Sequence, residues 1–247
     1  MFKHIFVGAM VILAGAVISA NADPKDDVTA AVKKLADGGN YTWTSTVDAQ
    51  FGASTTKGTT DKTDGTFFTQ TRGDNSTDVA VLNGKAAIKT DDGWKTAEDA
   101  AAGAQGMNTF MARMLQTYKT PADQAATYAD KIDTFQKTDD GYSADLTPDM
   151  VKMLATFGRR RGGNGGAAPE ITDPKGSLKV WIKDGAISKM VLTIQGSVSF
   201  NGNDVQIDRT TTTEYTDVGS TKVAIPDEAK TVLTAAPATA PAAAPMQ

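Results

Sequence analysis

Acidic side chains are the first candidates for chemistry in this chain. Asp204, Asp208 and Glu214 fall at even spacings on one predicted strand and so share a face, where two carboxylates would resemble a glycoside hydrolase pair. Carboxylates on the solvent side of a strand give the same pattern. The aspartate pairs at 91–92 and 139–140 each precede a glycine, which is typical of turns. A hydrolase is therefore the least favoured of three hypotheses for the function of this chain.

The usual catalytic and metal-binding side chains are scarce. His4 is the only histidine, and the chain has no cysteine. Residues 1–22 have the basic start, apolar run and small-residue cleavage site of a secretory signal peptide, with an uncleaved anchor as the alternative. Cleavage after Ala22 would remove His4, and with it the usual general base and most zinc, copper and haem sites. We expect a non-enzymatic periplasmic or secreted protein, with no cofactor, no metal and no cysteine-linked lipid anchor.

One run of positive charge is a candidate contact for an anionic partner. Arg159, Arg160 and Arg161 stand in a glycine-rich loop over residues 158–168. Guanidinium groups pair well with phosphate oxygens, so the loop is a candidate contact for a lipid head group, an anionic membrane surface or an envelope protein. A solvated flexible loop is the alternative. With a net charge of −4, the chain is not expected to bind nucleic acid.

Methionines recur at helical spacing in two segments, over residues 108–118 and from residue 147 onwards. Methionine is flexible and polarisable, so such stripes suit the lining of a cavity for an acyl chain or another hydrophobic ligand. Ordinary core filling is the alternative. The candidate lining residues are Met107, Phe110, Met111, Met114, Met150, Met153, Leu154, Phe157, Met190 and Leu192.

The elements that must position these residues are centred on residues 175–217, which read as three antiparallel strands. Leu178, Val180 and Ile182 alternate with polar residues, and residues 184–185 are Asp-Gly, a strong hairpin signal. Met190 and Leu192 face one side of the returning strand. The chain before residue 97 reads as a short helix followed by several strands, with turns at Asn-Gly and Asp-Gly.

The order of elements is strands, then helices, then strands. Among the helices, one is predicted to begin at Pro121, the next to have Thr147 as its N-cap, and a short last one to span residues 226–233. This order predicts an α+β fold with one domain over residues 23–234 and a disordered Ala/Pro-rich tail over 235–247. We expect a highly curved antiparallel sheet, an unclosed β-barrel, with helices covering its concave face. A two-sheet sandwich with peripheral helices is the alternative.

This arrangement resembles the bacterial lipoprotein-carrier superfamily, the proteins with a LolA/LolB/LppX/LprG-like fold. The resemblance rests on the strand at 41–51, on Asp92-Gly93-Trp94, on the helices in mid-chain and on KGSLKVWIKDGAISKMVLTIQG at 175–196. It implies an unclosed barrel of about eleven strands whose open side is plugged by helices, with acyl chains held in the apolar cavity between. The leading hypothesis is therefore a carrier or binding protein for a lipid or other hydrophobic ligand. A cell-envelope structural or interaction protein with the same fold and no ligand is the alternative.

Overall fold

The structure is a computed structural model that describes residues 23–50, 52–102, 114–156, 171–200 and 203–235. These residues form one antiparallel sheet of eleven strands and include five helices. The helices are α1 (Pro24–Asp37), α2 (Ala97–Ala102), α3 (Pro121–Lys131), α4 (Pro148–Thr156) and α5 (Asp227–Thr234). The strands are β1 (Asn40–Ala49), β2 (Ser54–Asp61), β3 (Gly65–Arg72), β4 (Asn75–Leu82), β5 (Lys85–Thr90), β6 (Gly93–Thr96), β7 (Gln136–Lys137), β8 (Tyr142–Asp145), β9 (Ile171–Lys183), β10 (Ala186–Phe200) and β11 (Asn203–Thr216).

The sheet consists of two meanders that meet at β1 and β11. Its strand order is β6-β5-β4-β3-β2-β1-β11-β10-β9-β8-β7, and each neighbouring pair is antiparallel. At the junction, Trp43 lies opposite Tyr215 and Ser45 opposite Thr213. Within the described residues β6 and β7 are the two edges, so the sheet does not close into a barrel. The α+β fold with one unclosed antiparallel sheet is confirmed, and the two-sheet sandwich is wrong.

Two of the predicted hairpin turns have the backbone geometry that their sequences demand. Asn83 and Gly84 have φ values of 50° and 75°, and Asp184 and Gly185 have 52° and 75°. Positive φ at both central residues defines the type I′ turn, whose twist matches that of the flanking strands. These turns set the registers of β4 with β5 and of β9 with β10, and therefore which residues face the core.

The face of the sheet that α1, α3 and α4 cover is called here the inner face. The apolar stripe of α1, Val28, Ala31, Val32 and Leu35, is buried, and this helix packs on β10 and α3. Helix α4 packs on β9 and β10. Each large apolar side chain buried in this way contributes about 1.5–3 kcal/mol relative to exposure, so these contacts hold the helices against the sheet.

The last helix packs on the other face, called here the outer face. Helix α5 contacts β4, β5 and β6, and its Ala229 and Leu233 are buried against Ala80 and Ala87 of the sheet. The strand neighbours Val79 and Ile88 belong to the inner core instead, as expected from the alternation of side chains along a strand. The sequence analysis predicted a short last helix but did not assign it to a face.

Several predictions fall outside the described residues. These are the signal peptide at 1–22, most of the helix at 108–118, the arginine loop at 158–168 and all but the first residue of the tail at 235–247. Within the part of the chain that the structure describes, no helix is both long enough and apolar enough to span a membrane.

Candidate functional site

A cavity of about 480 Å³ lies between the inner face of the sheet and helices α3 and α4. Its walls come from β1, β2, β3, β10 and β11, from α3 and the segment before it, and from the end of α4. The described residues that line it are Trp43, Ser45, Val47, Thr56, Phe68, Gln70, Met114, Leu115, Thr117, Tyr118, Lys119, Pro121, Gln124, Thr127, Tyr128, Lys131, Met153, Leu154, Met190, Leu192, Arg209, Thr211, Thr213 and Tyr215.

Strand alternation determines which sheet residues reach the cavity. On β11 the inward residues are Arg209, Thr211, Thr213 and Tyr215, every second position. Leu192 on β10 lies opposite Thr211 and so extends the same wall. Threonine side chains are short, so this part of the inner face leaves more space beneath the helices than a wall of leucine and isoleucine would.

Aromatic rings form one end of the cavity wall. Trp43 and Phe68 lie with ring centroids 5.8 Å apart, and Tyr118 stacks on Phe68 at 5.5 Å with an interplanar angle of 16°. Gly58 on β2 lies directly under the Trp43 ring, and a Cβ at Gly58 would sit 2.6 Å from Trp43 Cζ2. The glycine therefore lets the indole lie flat against the sheet.

Hydrogen bonds fix this aromatic wall and the start of α3. Trp43 Nε1 donates to the Thr60 hydroxyl at 3.1 Å. The backbone N–H of Ala122 donates to the Tyr41 hydroxyl at 3.1 Å, and the Tyr215 hydroxyl donates to the carbonyl of Pro121 at 3.1 Å. Both tyrosines are buried, and this burial raises the pKa of each phenol above its usual range. The first turn of α3 is therefore fastened to the sheet through neutral phenols.

Tyr118 is the exception among these phenols. Its hydroxyl is buried and has no hydrogen-bond partner among the described residues. The nearby Thr66 hydroxyl donates to Thr60 instead, at 3.2 Å. Burial raises the pKa of Tyr118 far above that of a free tyrosine, so the ring acts as a neutral surface on the cavity.

Helix α3 presents one stripe of side chains to the cavity, Gln124, Thr127, Tyr128 and Lys131, at spacings of three and four residues. A capping box begins the helix: the Thr120 hydroxyl accepts from the Asp123 N–H at 3.2 Å, and the Asp123 carboxylate accepts from the Thr120 N–H at 3.3 Å. The expected helix start at Pro121 is confirmed, and the cap sets the direction of this stripe.

Helix α4 closes the other side of the cavity with Met153 and Leu154. Its expected N-cap, Thr147, accepts from the backbone N–H of Met150 at 3.3 Å. At its far end, Arg209 Nη2 on β11 donates to the carbonyl oxygen of Leu154 at 2.9 Å. Carbonyls in the last turn of a helix lack partners within the helix, so this bond ties the end of α4 to the sheet.

The predicted lining residues divide into three groups. Met114, Met153, Leu154, Met190 and Leu192 line the cavity. Met150 is buried in the core and is not a lining residue. Met107, Phe110, Met111 and Phe157 lie outside the described residues. The predicted anionic contact, Arg159, Arg160 and Arg161, lies outside them too.

The carboxylates considered for hydrolysis are exposed, away from the cavity. Asp204, Asp208 and Glu214 occupy the positions of β11 that alternate with its cavity-lining residues, and Glu214 lies 3.5 Å from the ammonium of Lys189. Over the described ranges, no group of three or more acidic or histidine side chains is placed to hold a metal ion.

The aromatic wall and Arg209 were not predicted from the sequence. The alternation of Tyr41 and Trp43 on β1 was a usable signal for the wall, because both rings fall on one face. Residues 210–213 are four threonines in a row, so no contrast between apolar and polar positions marks which face of β11 carries Arg209.

Comparisons with known proteins identify no family for this chain. No family model matches the chain, and no curated protein matches it. Among solved structures, a DUF1329 family protein from Desulfovibrio piger is similar at a TM-score of 0.29 and 7% identity, covering 79% of this chain and 92% of that one.

Proposed function

We propose that this protein binds a lipid or another hydrophobic small molecule in the cavity between the sheet and helices α3 and α4. The observation that carries the proposal is the cavity itself, about 480 Å³ with aromatic, methionine and leucine side chains in its walls. Protein interiors are normally packed to the density of organic crystals, with few voids larger than a water molecule. A cavity of this size falls instead within the range of small-molecule sites, about 300–1,000 Å³.

Two methionines in the cavity wall support a hydrophobic ligand. Met114 and Met153 are the large apolar side chains with high exposure among the described residues, at 43% and 37%. Both line the cavity, so their exposed surface is available to a ligand. Methionine adapts its shape at little energetic cost, which suits a flexible acyl chain better than a rigid ligand.

The size of the cavity fits one chain. Its volume of about 480 Å³ lies in the lower half of the range of small-molecule sites, about 300–1,000 Å³. We therefore expect one ligand per protein.

The proposed role is non-enzymatic and needs no cofactor. It is supported by the absence of cysteine from the sequence and by the position of its only histidine, His4, in the predicted signal peptide. We propose that the protein acts outside the cytoplasm, in the periplasm or as a secreted protein, as the composition of residues 1–22 suggests.

A matched pair of variants tests the proposal. Thr211→Trp places an indole in the cavity from the inner face of β11, whereas Thr212→Trp places one on the outer face of the same strand. The parent protein and Thr212→Trp should take up an anthroyloxy-labelled stearic acid with one site per chain, and Thr211→Trp should lose most of this binding. Native mass spectrometry of protein from its own host should show a co-purified lipid.

Two results would contradict the proposed ligand site. If the parent carries no lipid and takes up no labelled fatty acid, the cavity is not a ligand site. The alternative of a ligand-free interaction or structural protein would then stand. If Thr211→Trp binds as well as the parent, any binding occurs elsewhere on the chain.

A further inference from the structure

The charged residues in the described part of the cavity wall all have the same sign. The chain as a whole is acidic, with 29 Asp and Glu against 25 Lys and Arg. The described lining nevertheless contains Lys119, Lys131 and Arg209 and no carboxylate. A wall that follows the overall composition would carry at least as many acidic as basic residues, so the sign of the charge here distinguishes the cavity from the rest of the surface.

Of the three cations, Lys131 is on the cavity-facing stripe of α3, and Lys119 and Arg209 lie beside that stripe. Lys119 Nζ donates to the Thr127 hydroxyl at 3.3 Å, which brings its charge one helical turn from Lys131. Arg209 is close enough to Tyr128, the neighbour of Thr127, to lower the pKa of that phenol against the raising effect of its burial. Thr127, Tyr128 and Lys131 thus connect the three charges into one positive region.

Neither the helix dipole nor an ion pair accounts for both lysines, which are exposed residues. Lys131 in the last turn of α3 is favoured by the helix dipole, but Lys119 precedes the N-cap, where the dipole disfavours a cation. Neither lysine forms an ion pair with a described carboxylate. Asp123, the nearest acidic residue of α3 in sequence to Lys119, is engaged in the capping box with Thr120.

Arg209 is held in position at the cavity wall. Its bond to the carbonyl of Leu154 fixes the guanidinium on the inner face of β11. A guanidinium has five N–H donors in a planar fork, so it can contact a carbonyl and an anion together. Hydrogen bonds from such a group to carboxylate or phosphate oxygens are about twice as strong as neutral ones.

We propose that the ligand is a single-chain amphiphile with an anionic head group, a carboxylate or a phosphate ester, which Arg209, Lys119 and Lys131 bind while the chain occupies the apolar part of the cavity. This inference rests on the proposed function and narrows its ligand class. A neutral amphiphile of the same length gains the same apolar burial but offers these side chains no charge-assisted hydrogen bond. The acid therefore binds more tightly than the alcohol.

A displacement series tests the inference on the parent protein, with the labelled stearic acid bound as the probe. Palmitic acid and hexadecyl phosphate should displace the probe at concentrations about tenfold lower than hexadecanol, since a charged hydrogen bond contributes more than a neutral one. Inorganic phosphate at the same concentrations should not displace it, because the chain supplies most of the affinity. Displacement by inorganic phosphate alone would show a simple anion site and overturn the inference.

Variants connect the effect to the residues. Arg209→Gln should bring the displacing concentrations of palmitic acid and hexadecanol close together. Lys179→Gln makes the same charge change at an exposed residue of β9 outside the cavity, and it should keep the tenfold difference between these concentrations. If Arg209→Gln does not fold, the double variant Lys119→Gln/Lys131→Gln takes its place and should reduce the difference between the displacing concentrations of palmitic acid and hexadecanol.

Equal displacement by acid and alcohol in the parent overturns the charge preference and leaves the proposed function intact. A persistent gap in both Arg209→Gln and the double variant also overturns it. Failure of the probe itself to bind overturns both proposals.

Discussion

Gly58 offers a sharp test of how the cavity wall is packed. In the variant Gly58→Ala the new Cβ would lie 2.6 Å and 2.7 Å from Cζ2 and Cε2 of Trp43 and 2.7 Å from Cβ of Phe68. Carbon atoms normally approach to about 3.5–4.0 Å, so the indole or the strand must move by about 1 Å. Trp43 is only 4% exposed and donates to Thr60, so the ring has little freedom to move.

The expected loss of stability follows from these contacts. Overpacking of a filled site costs about 1–3 kcal/mol. Replacing glycine inside a strand recovers about 0.5–1 kcal/mol, because alanine loses less backbone entropy on folding. The net free energy of unfolding should fall by about 1–2 kcal/mol. For a domain of this size, that lowers the melting temperature by about 2–8 °C.

The assay is urea unfolding followed by far-ultraviolet circular dichroism, which does not depend on the fluorescence of Trp43. Gly58→Ala is measured alone and in a Trp43→Leu background, where the clashing ring is absent. In that background only the contact with Cβ of Phe68 remains, so the loss should be smaller than in the parent by about 0.5–2 kcal/mol, which is the coupling free energy with Trp43. A neutral Gly58→Ala in the parent, or an equal loss in both backgrounds, would refute the packing argument.

Two further predictions concern the phenols. Tyr118→Phe removes a buried hydroxyl without a described partner and should be neutral or stabilising by about 1 kcal/mol. Tyr215→Phe deprives the Pro121 carbonyl of its donor and should lower the free energy of unfolding by about 1 kcal/mol. Equal losses of stability for the two variants in urea unfolding would contradict this contrast. The pKa of each of the five tyrosines is raised in the folded protein, four of them mainly by burial and that of Tyr142 mainly by its hydrogen bond to the Asp27 carboxylate. The unfolded chain ionises its phenols near pH 10, so the stability that these tyrosines provide is complete below that pH and is lost as pH rises towards the folded pKa values. Tyrosinate absorbance should therefore appear together with unfolding, and a folded protein that titrates all five phenols near pH 10 would refute this.

The sheet was predictable because its signals are local. Leu178, Val180 and Ile182 alternate with polar residues, and Asn83-Gly84 and Asp184-Gly185 accept the positive φ of a type I′ turn more readily than most residue pairs. Each signal spans only a few residues and needs no knowledge of the rest of the chain. The α+β class, the strand registers at these turns and the start of α3 at Pro121 all followed from such patterns.

The cavity wall was less predictable because it depends on long-range pairing. β1 and β11 are separated by most of the chain, yet their pairing brings Trp43 opposite Tyr215 and Ser45 opposite Thr213. The predicted methionines show the same limit, since Met150 and Met153 share a helix and a predicted stripe. One is buried in the core, whereas the other lines the cavity at 37% exposure. Helical spacing identifies a face at least about 100° wide, and the packing of the helix on β9 and β10 decides which residues of that face are buried.

The location of the cavity follows from the sizes of the side chains on the inner face. Where β9 and β10 present Leu178, Val180 and Ile194, helices α1 and α4 pack directly on the sheet, and these side chains are at most 1% exposed. Where β2 and β11 present Thr56, Thr211 and Thr213, the side chains are shorter and line the cavity. Because α3 is fastened at its start by Tyr41 and Tyr215, it does not descend into that space. The threonine-rich strands and the two phenols together keep the cavity open, and the first of these features is visible in the sequence.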